Sequence, residues 1–260
     1  MAEKHKSFYQ FYSKAKAKYF DLEDVLAELG ETNTTKEFRS DMFCPECKCA
    51  QLTLVAKTSI HRAYLKRIPS SSHEENCSYN FEYASNKAIM EYVSSLTESE
   101  LQDKLDSIMR LLCNTELVHD DSNDSNKNNK SKISTMLITP KNNRSNNLKS
   151  LRRKKIGEHI DETEFGNLYA FYGDVKLEVY CYVPEGNQKA KVYYLRILSK
   201  NLNNEWKTKA SVRLGTKSLK IDEDSLYHMV FIGYPQKNKD GYFELKLVNN
   251  YAYKYKLIEK

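Results

Sequence analysis

Hydrophobic and polar positions along the chain change period twice, and each change marks a boundary. Between residues 7 and 20, Phe8, Phe11, Tyr12, Ala15 and Tyr19 share one helical stripe while Lys14, Lys16 and Lys18 lie elsewhere, which predicts an amphipathic helix. A second, short helix is expected from Asp21, placed as its N-cap, to Leu29, with Gly30 as its stop. Residues 31–42 are polar and read as irregular, whereas Gln51-Leu-Thr-Leu-Val55 alternates as a strand does. Helical spacing returns at 84–95. Thr97 and Glu100 then form a capping box that opens a helix to about residue 115, with Leu101, Leu105, Ile108, Leu111 and Leu112 inward. These elements predict a helical N-terminal domain over residues 1–118.

Past residue 118 the helical period is lost. Asn, Asp, Ser and Lys dominate residues 120–132, a short apolar patch follows (Ile133, Met136, Leu137, Ile138), and the tract ends in Arg152, Arg153, Lys154 and Lys155. Such a composition buries too little apolar surface to offset the entropy of ordering, so residues 119–155 read as a flexible basic linker. The 133–138 patch reads as a short strand able to dock on either neighbour. From Phe165 the period is two. Candidate strands are 168–172, 175–183, 190–199, 208–214, 227–233, 242–248 and 251–258, with a short helix or turn at 218–225. Turn signals stand at Glu185-Gly-Asn, Asn201-Leu-Asn-Asn, Lys239-Asp-Gly and Asn249-Asn250. Short antiparallel strands in this number fit an OB-like barrel and equally a small β-sandwich over residues 156–260.

The chemistry that stands out lies between Cys44 and Cys77. Cys44-Pro-Glu-Cys47 is followed after twenty-five residues by His73-Glu-Glu-Asn-Cys77. Two cysteines in one tight turn and a His-x-x-x-Cys pair supply the four nitrogen and sulfur donors of a closed tetrahedral zinc site. Zinc is the expected cofactor, with Cys44, Cys47, His73 and Cys77 as ligands; Cys49 and His61 are spare candidates. A catalytic zinc keeps an open position beside a carboxylate base. Glu46, Glu74 and Glu75 adjoin the ligands, but a deaminase places His-x-Glu before its Pro-Cys-x-x-Cys, and here that order is reversed. The expected fold class is therefore α+β: a helical zinc-ribbon domain, a flexible basic linker and a C-terminal antiparallel barrel or sandwich.

Phe43-Cys-Pro-Glu-Cys47, the basic segment with His61, and then His73 and Cys77 resemble the N-terminal zinc-finger region of CoiA-like competence proteins over residues 20–80. In that family the finger precedes a nuclease-like domain, and the resemblance implies a module that works around DNA. Nothing downstream matches such a domain clearly. Asp240, Glu244 and Lys246 have the residue types of a metal-dependent nuclease site, but alternation along a hairpin strand explains Glu244 and Lys246 as simply.

Charge divides unevenly. Residues 1–119 carry fifteen Lys and Arg against eighteen Asp and Glu, residues 120–155 ten against three, and residues 156–260 sixteen against fourteen; the net +6 is concentrated in the middle. Cys113 and Cys181 stand alone, a reducing-compartment pattern. With no apolar leader and no run of eighteen apolar residues, the expectation is a cytoplasmic protein with no membrane partner. Aromatics interleave with bases at Tyr193-Tyr-Leu-Arg196, Trp206-Lys207 and Tyr251 to Lys256, as in proteins that stack single-stranded bases. The expected function is non-enzymatic nucleic-acid binding, single-stranded DNA or RNA, through Arg62, Lys66, Arg67, Arg152, Arg153, Lys154, Lys155, Tyr193, Arg196, Trp206 and Lys207. The alternative is a protein-interaction or sensor protein whose zinc module and β domain recognise a protein partner.

Overall fold

The computed structural model describes residues 6–32, 38, 40–59, 62–113, 133–139, 147–183, 191–200, 205–237 and 243–259. They fall into two compact units, Met1–Glu82 with Asn128–Ser134 and Tyr83–Lys127 with Thr135–Lys260. The turn signals at 185–187, 201–204 and 239–241, the linker residues 120–132, and His61 lie outside the described residues.

The first unit is mostly strand. Residues 7–20 form no helix: they give β1 (Ser7–Phe8) and a hairpin of β2 (Gln10–Ser13) and β3 (Lys18–Asp21). Over four residues, period two fits the same aromatics, and Phe and Tyr favour strands. Asp41 decides the matter, because its carboxylate accepts hydrogen bonds from the backbone of Lys14 (3.0 Å) and Ala15 (3.2 Å) and from the Ser13 hydroxyl, which pins the hairpin turn. Helix α1 (Leu22–Thr32) follows directly. Strand β4 (Leu52–Val55) pairs with β5 (Tyr64–Arg67), whose other edge takes β1. The core beneath includes Phe8, Phe11, Leu22, Val25, Phe38, Met42, Leu52 and Leu65, together with Cys44 and Cys77.

The second unit holds the remaining helices, α2 (Asn86–Ser94) and α3 (Glu98–Leu112), and a β-barrel. These helices belong to the barrel unit, not to the unit that holds the cysteines. They pack on the outer wall of the barrel, where Ile89, Leu101, Leu105, Ile108 and Met109 meet Ala170, Tyr172, Val230 and Ile232. The Thr97–Glu100 capping box is formed as the sequence predicts.

The described end of the expected linker is also built into this unit. Leu137 and Ile138 (β6) pair with Lys149 and Ser150 (β7), and Arg153–Lys155 (β8) runs parallel to the barrel strand β9 (Tyr169–Tyr182). Met136, Ile138 and Leu151 are buried, so the apolar patch repays its ordering by completing the helix-on-barrel layer.

Strands β9, β10 (Val192–Lys200), β11 (Trp206–Gly215), β13 (Phe243–Leu247) and β12 (Tyr227–Lys237) close in that order, β12 pairing back onto β9; β14 (Tyr253–Leu257) pairs with Tyr227–Phe231 on the edge of β12 that β13 takes further along. Two candidate strands at 168–172 and 175–183 are thus one. Gly173, at φ +150, lets the chain turn so that Tyr169–Val175 pairs with β12 and Lys176–Tyr182 with β10. Phe171, Val175, Leu177, Leu195, Ile197, Val212, Met229, Phe231 and Leu245 fill the interior. The runs Tyr169–Tyr172 and Met229–Ile232 are buried at every residue, because that wall faces both the interior and the helices. Beyond Gly173 burial alternates, which leaves one wall of the barrel uncovered by helices.

Candidate functional sites

The turn Cys44–Ala50 brings the first ligand pair together. Cys44 N donates to Ala50 O (2.7 Å), Lys48 N donates to Cys44 O (2.9 Å), and Lys48 takes a left-handed φ of +57 to close the turn. The second pair comes from the turn after β5, where Arg67 donates to the carbonyls of Pro69 (3.2 Å) and Ser71. Glu46 joins the two pairs, its carboxylate accepting from Ser78 N and Ser78 Oγ at 2.6 Å each. Phe8 and Tyr79 stack with the His73 ring at centroid distances of 5.9 and 5.6 Å and fix its plane.

The result gathers Cys44, Cys47, His73 and Cys77 with all ligand atoms within 4.8 Å of one another. Cys44 Sγ lies 3.9 Å from Cys77 Sγ, and His73 Nδ1 lies 3.5 Å from Cys47 Sγ and 3.4 Å from Cys77 Sγ. Metal–ligand bonds of 2.3 Å to sulfur and 2.0–2.1 Å to nitrogen give tetrahedral edges of about 3.8 Å for S···S and about 3.6 Å for N···S. Three of the six edges thus match a tetrahedral shell, and the group could hold a metal ion. Its electrostatics call for a cation. Burial pushes the Cys44 thiol up to about 12, and hydrogen bonds from Cys44 and Cys77 hold Cys47 far below the usual thiol range. One thiolate is tolerated by its neighbours, and further ionisation of buried sulfur needs positive charge. Cys49 is exposed and donates to Glu74 (3.1 Å), outside the group. Glu46 and Glu74 are thus both engaged in holding the turns.

A second feature lies on the uncovered wall of the barrel. Antiparallel partners share a face, and the register sets Lys176 beside Leu198 and Thr208, Glu178 beside Arg196 and Ser211, Tyr180 beside Tyr194 and Arg213, and Lys200 beside Trp206. One surface thus carries the cations Lys176, Arg196, Lys200 and Arg213, the aromatics Tyr180, Tyr194 and Trp206, and the carboxylates Glu178 and, two residues before Lys176 on the same side of β9, Asp174. The Arg196 guanidinium lies 4.0 Å from the Tyr180 ring centre, and Lys176 and Lys200 each place Nζ 5.7 Å from that of Trp206.

Of the residues singled out in the sequence, Arg196 and Trp206 are on this face. Trp206 is the first residue of β11, half-buried between two lysines, two residues before the strand expected at 208–214. Tyr193 is on the opposite side with Leu195 and Ile197, and Lys207, paired with Ser199, meets Glu205 at 3.3 Å. The alternation Lys176-Leu-Glu-Val-Tyr180 marked the β9 contributors; Tyr194, Lys200 and Arg213 needed the register.

The basic run 152–155 is not a free tether. Arg152 donates to Ala84 O (3.0 Å) and covers the Tyr83 ring, and Lys154 is buried with its ammonium 2.7 Å from Glu164. Arg153 and Lys155 lie on β8. In the first unit, Arg67 is used by the turn before His73, Lys66 sits opposite Ser7 and Thr53 in the central strand, and Arg62 is exposed. Among the described residues no helix is long and apolar enough to cross a membrane. Compared with protein-family models, with curated proteins and with solved structures, the chain matches none.

Proposed function

We propose that this protein binds single-stranded DNA or RNA through the β9–β10–β11 face and that Cys44, Cys47, His73 and Cys77 hold a structural zinc ion. The composition of that one face carries the reading: four cations interleaved with three aromatics on paired strands, with Glu178 and Asp174 as the carboxylates on the same side of β9. Bases stack on aromatic rings whatever their sequence, and Lys and Arg between the rings follow the phosphate backbone. The connectivity supports an OB-like barrel. In chain order its strands pair first with second, second with third, third with fifth in parallel, fifth with fourth, and fourth with first. Five-stranded Greek-key barrels of the OB type bind oligonucleotides on their second and third strands, here β10 and β11.

Zinc follows from the donor set. Three thiolates and an imidazole at tetrahedral spacing suit zinc, and four protein ligands leave no open position for hydrolysis. When bound, the ion supplies charge compensation for buried thiolates and a crosslink between two turns. The resemblance of this module to CoiA-like fingers is consistent with a protein that works on DNA.

The test is binding of a fluorescent thymidine oligonucleotide at increasing salt. Log affinity should fall linearly with log salt, and Arg196→Ala should shallow the slope by about 0.7, the value for one lost single-strand phosphate contact. Trp206→Ala should cost about 1–3 kcal/mol. A folded, metal-loaded protein that binds no oligonucleotide at low salt overturns the reading, and a stable oligomer under those conditions would favour recognition of a protein partner.

A further inference from the structure

The β2–β3 hairpin of the first unit has two aromatic sides, and the core uses only one of them. Phe11 and Phe20, a cross-strand pair, turn inward and meet Phe38 at centroid distances of 5.1 and 4.9 Å. Tyr12 and Tyr19 are the next pair and so lie on the opposite side. Tyr12 is bridged in turn to Phe43, and Phe43 to Gln51. Directly opposed residues share a side, which sets Tyr19, Tyr12 and Phe43 in one row across three chain segments. Each is half-buried, and none belongs to the cluster of side chains that packs the core.

Two lysines lie on these rings. Lys14, from the hairpin turn, places Nζ 4.0 Å from the Phe43 ring centre. Lys48, from the cysteine turn, places Nζ 4.2 Å from that of Tyr12 and 5.3 Å from that of Tyr19. Both are exposed, and among the described residues neither ammonium is in an ion pair. The carboxylates of the same turns are occupied: Asp41 accepts from the backbone of Lys14 and Ala15, Glu46 from Ser78, and Glu74 from the Cys49 thiol. Asp21 stands on the side of the row, two residues past Tyr19, at the end of β3 away from the hairpin turn.

Rings capped by ammonium ions fit one class of partner better than another. The centre of a protein–protein interface is poor in charge, and lysine is among the residues depleted there. A single strand uses both parts, because bases stack on the rings and lysines take the phosphates. The magnitudes favour the exchange. An exposed cation–π contact is worth about two- to fivefold in an equilibrium constant and a stacked base about 5- to 150-fold, so a base displaces the lysine and leaves it to reach a phosphate.

We infer that the row Tyr19, Tyr12 and Phe43 is a second contact surface for single-stranded nucleic acid, on which bases stack while Lys14 and Lys48 turn to the flanking phosphates. It is carried by its own geometry and borrows nothing from the β9–β10–β11 face, so each can fail alone.

The test is photocrosslinking of the zinc-loaded, full-length protein to a thymidine oligonucleotide carrying 5-iodouracil, which couples to aromatic rings stacked on it, with the adducts mapped by mass spectrometry. Adducts are expected on Tyr12, Tyr19 or Phe43. Tyr12→Leu, which keeps an apolar side chain on the strand, should weaken oligonucleotide binding about 5- to 150-fold. Lys14→Gln combined with Lys48→Gln should shallow the salt slope by about 1.4, the value for two single-strand phosphate contacts. Both variants should keep their zinc content and melting temperature. Adducts confined to the barrel strands, or an affinity indifferent to all three substitutions, overturn the inference and leave the barrel face standing. Adducts confined to the row support it and overturn the barrel face alone. A proline-rich peptide that binds at the row while the oligonucleotide does not would make the row a protein-recognition surface and overturn the inference.

Discussion

Gly157 shows how one missing side chain can be required twice. Its φ of +95 is strained for any L-residue, and the space a Cβ would fill belongs to Ser199. Gly166, at φ +74 with nothing within 4 Å, shares only the first constraint. Gly166→Ala should cost about 1 kcal/mol from backbone strain, and Gly157→Ala about twice that or more. Equal losses in urea denaturation would show that the close approach to Ser199 is unimportant. Lys104 is a second instructive residue. Burial depresses its ammonium to about 8, and Nζ donates to Leu137 O at 2.9 Å. A lysine whose folded value lies below its unfolded value adds stability above the unfolded value, and that stability is lost as pH falls through the folded one. Lys104 therefore contributes a rise in the urea midpoint between pH 8 and about 9.5, set against the opposite slope of Cys113, whose thiol burial pushes up to about 12. Lys104→Met should flatten that rise, and an identical slope in both proteins would refute the assignment.

At the scale of elements, helix α3 separates what a local pattern can tell from what it cannot. Its stripe and capping box are plain in the sequence, yet the stripe does not name its partner. Leu105 is fully buried in the layer formed with β9, β12 and β14. Leu105→Ala should destabilise the barrel unit by about 3 kcal/mol, seen as an earlier denaturation midpoint in Trp206 emission. If the helix served the cysteine module instead, Trp206 emission would not move. The hairpin at residues 10–21 teaches the converse. Its aromatics satisfy a helical stripe and a strand equally over so short a run, and the deciding contacts come from Asp41, twenty residues further on. The sequence pattern divides β9 into strands 168–172 and 175–183 at Gly173-Asp174. It is a bend inside one strand that serves both halves of the barrel.

For the whole molecule, the metal group and Trp206 lie in different compact units. The first unit has a small core that includes Cys44 and Cys77, so a metal held by the Cys44, Cys47, His73 and Cys77 group should supply much of its stability. Chelation with EDTA, or Cys47→Ser, should lower far-UV ellipticity and the first thermal transition while Trp206 emission and its transition persist. Loss of both transitions together would show that the barrel depends on the metal as well.

The sequence by itself determined which four Cys and His side chains could share a metal ion, the α3 stripe with its cap, and the period-two character of the C-terminal half. Each is encoded in spacing within a few residues of itself, and local backbone geometry translates that spacing directly. Tertiary structure alone decided that the helices cover one wall of the barrel, that β8 is a strand with Lys154 buried against Glu164, and that Lys176, Arg196, Lys200, Trp206 and Arg213 share one surface. Those facts depend on strand register and on which apolar faces find each other, and both are set by contacts between residues far apart in the chain, where a periodic pattern states only that a partner must exist.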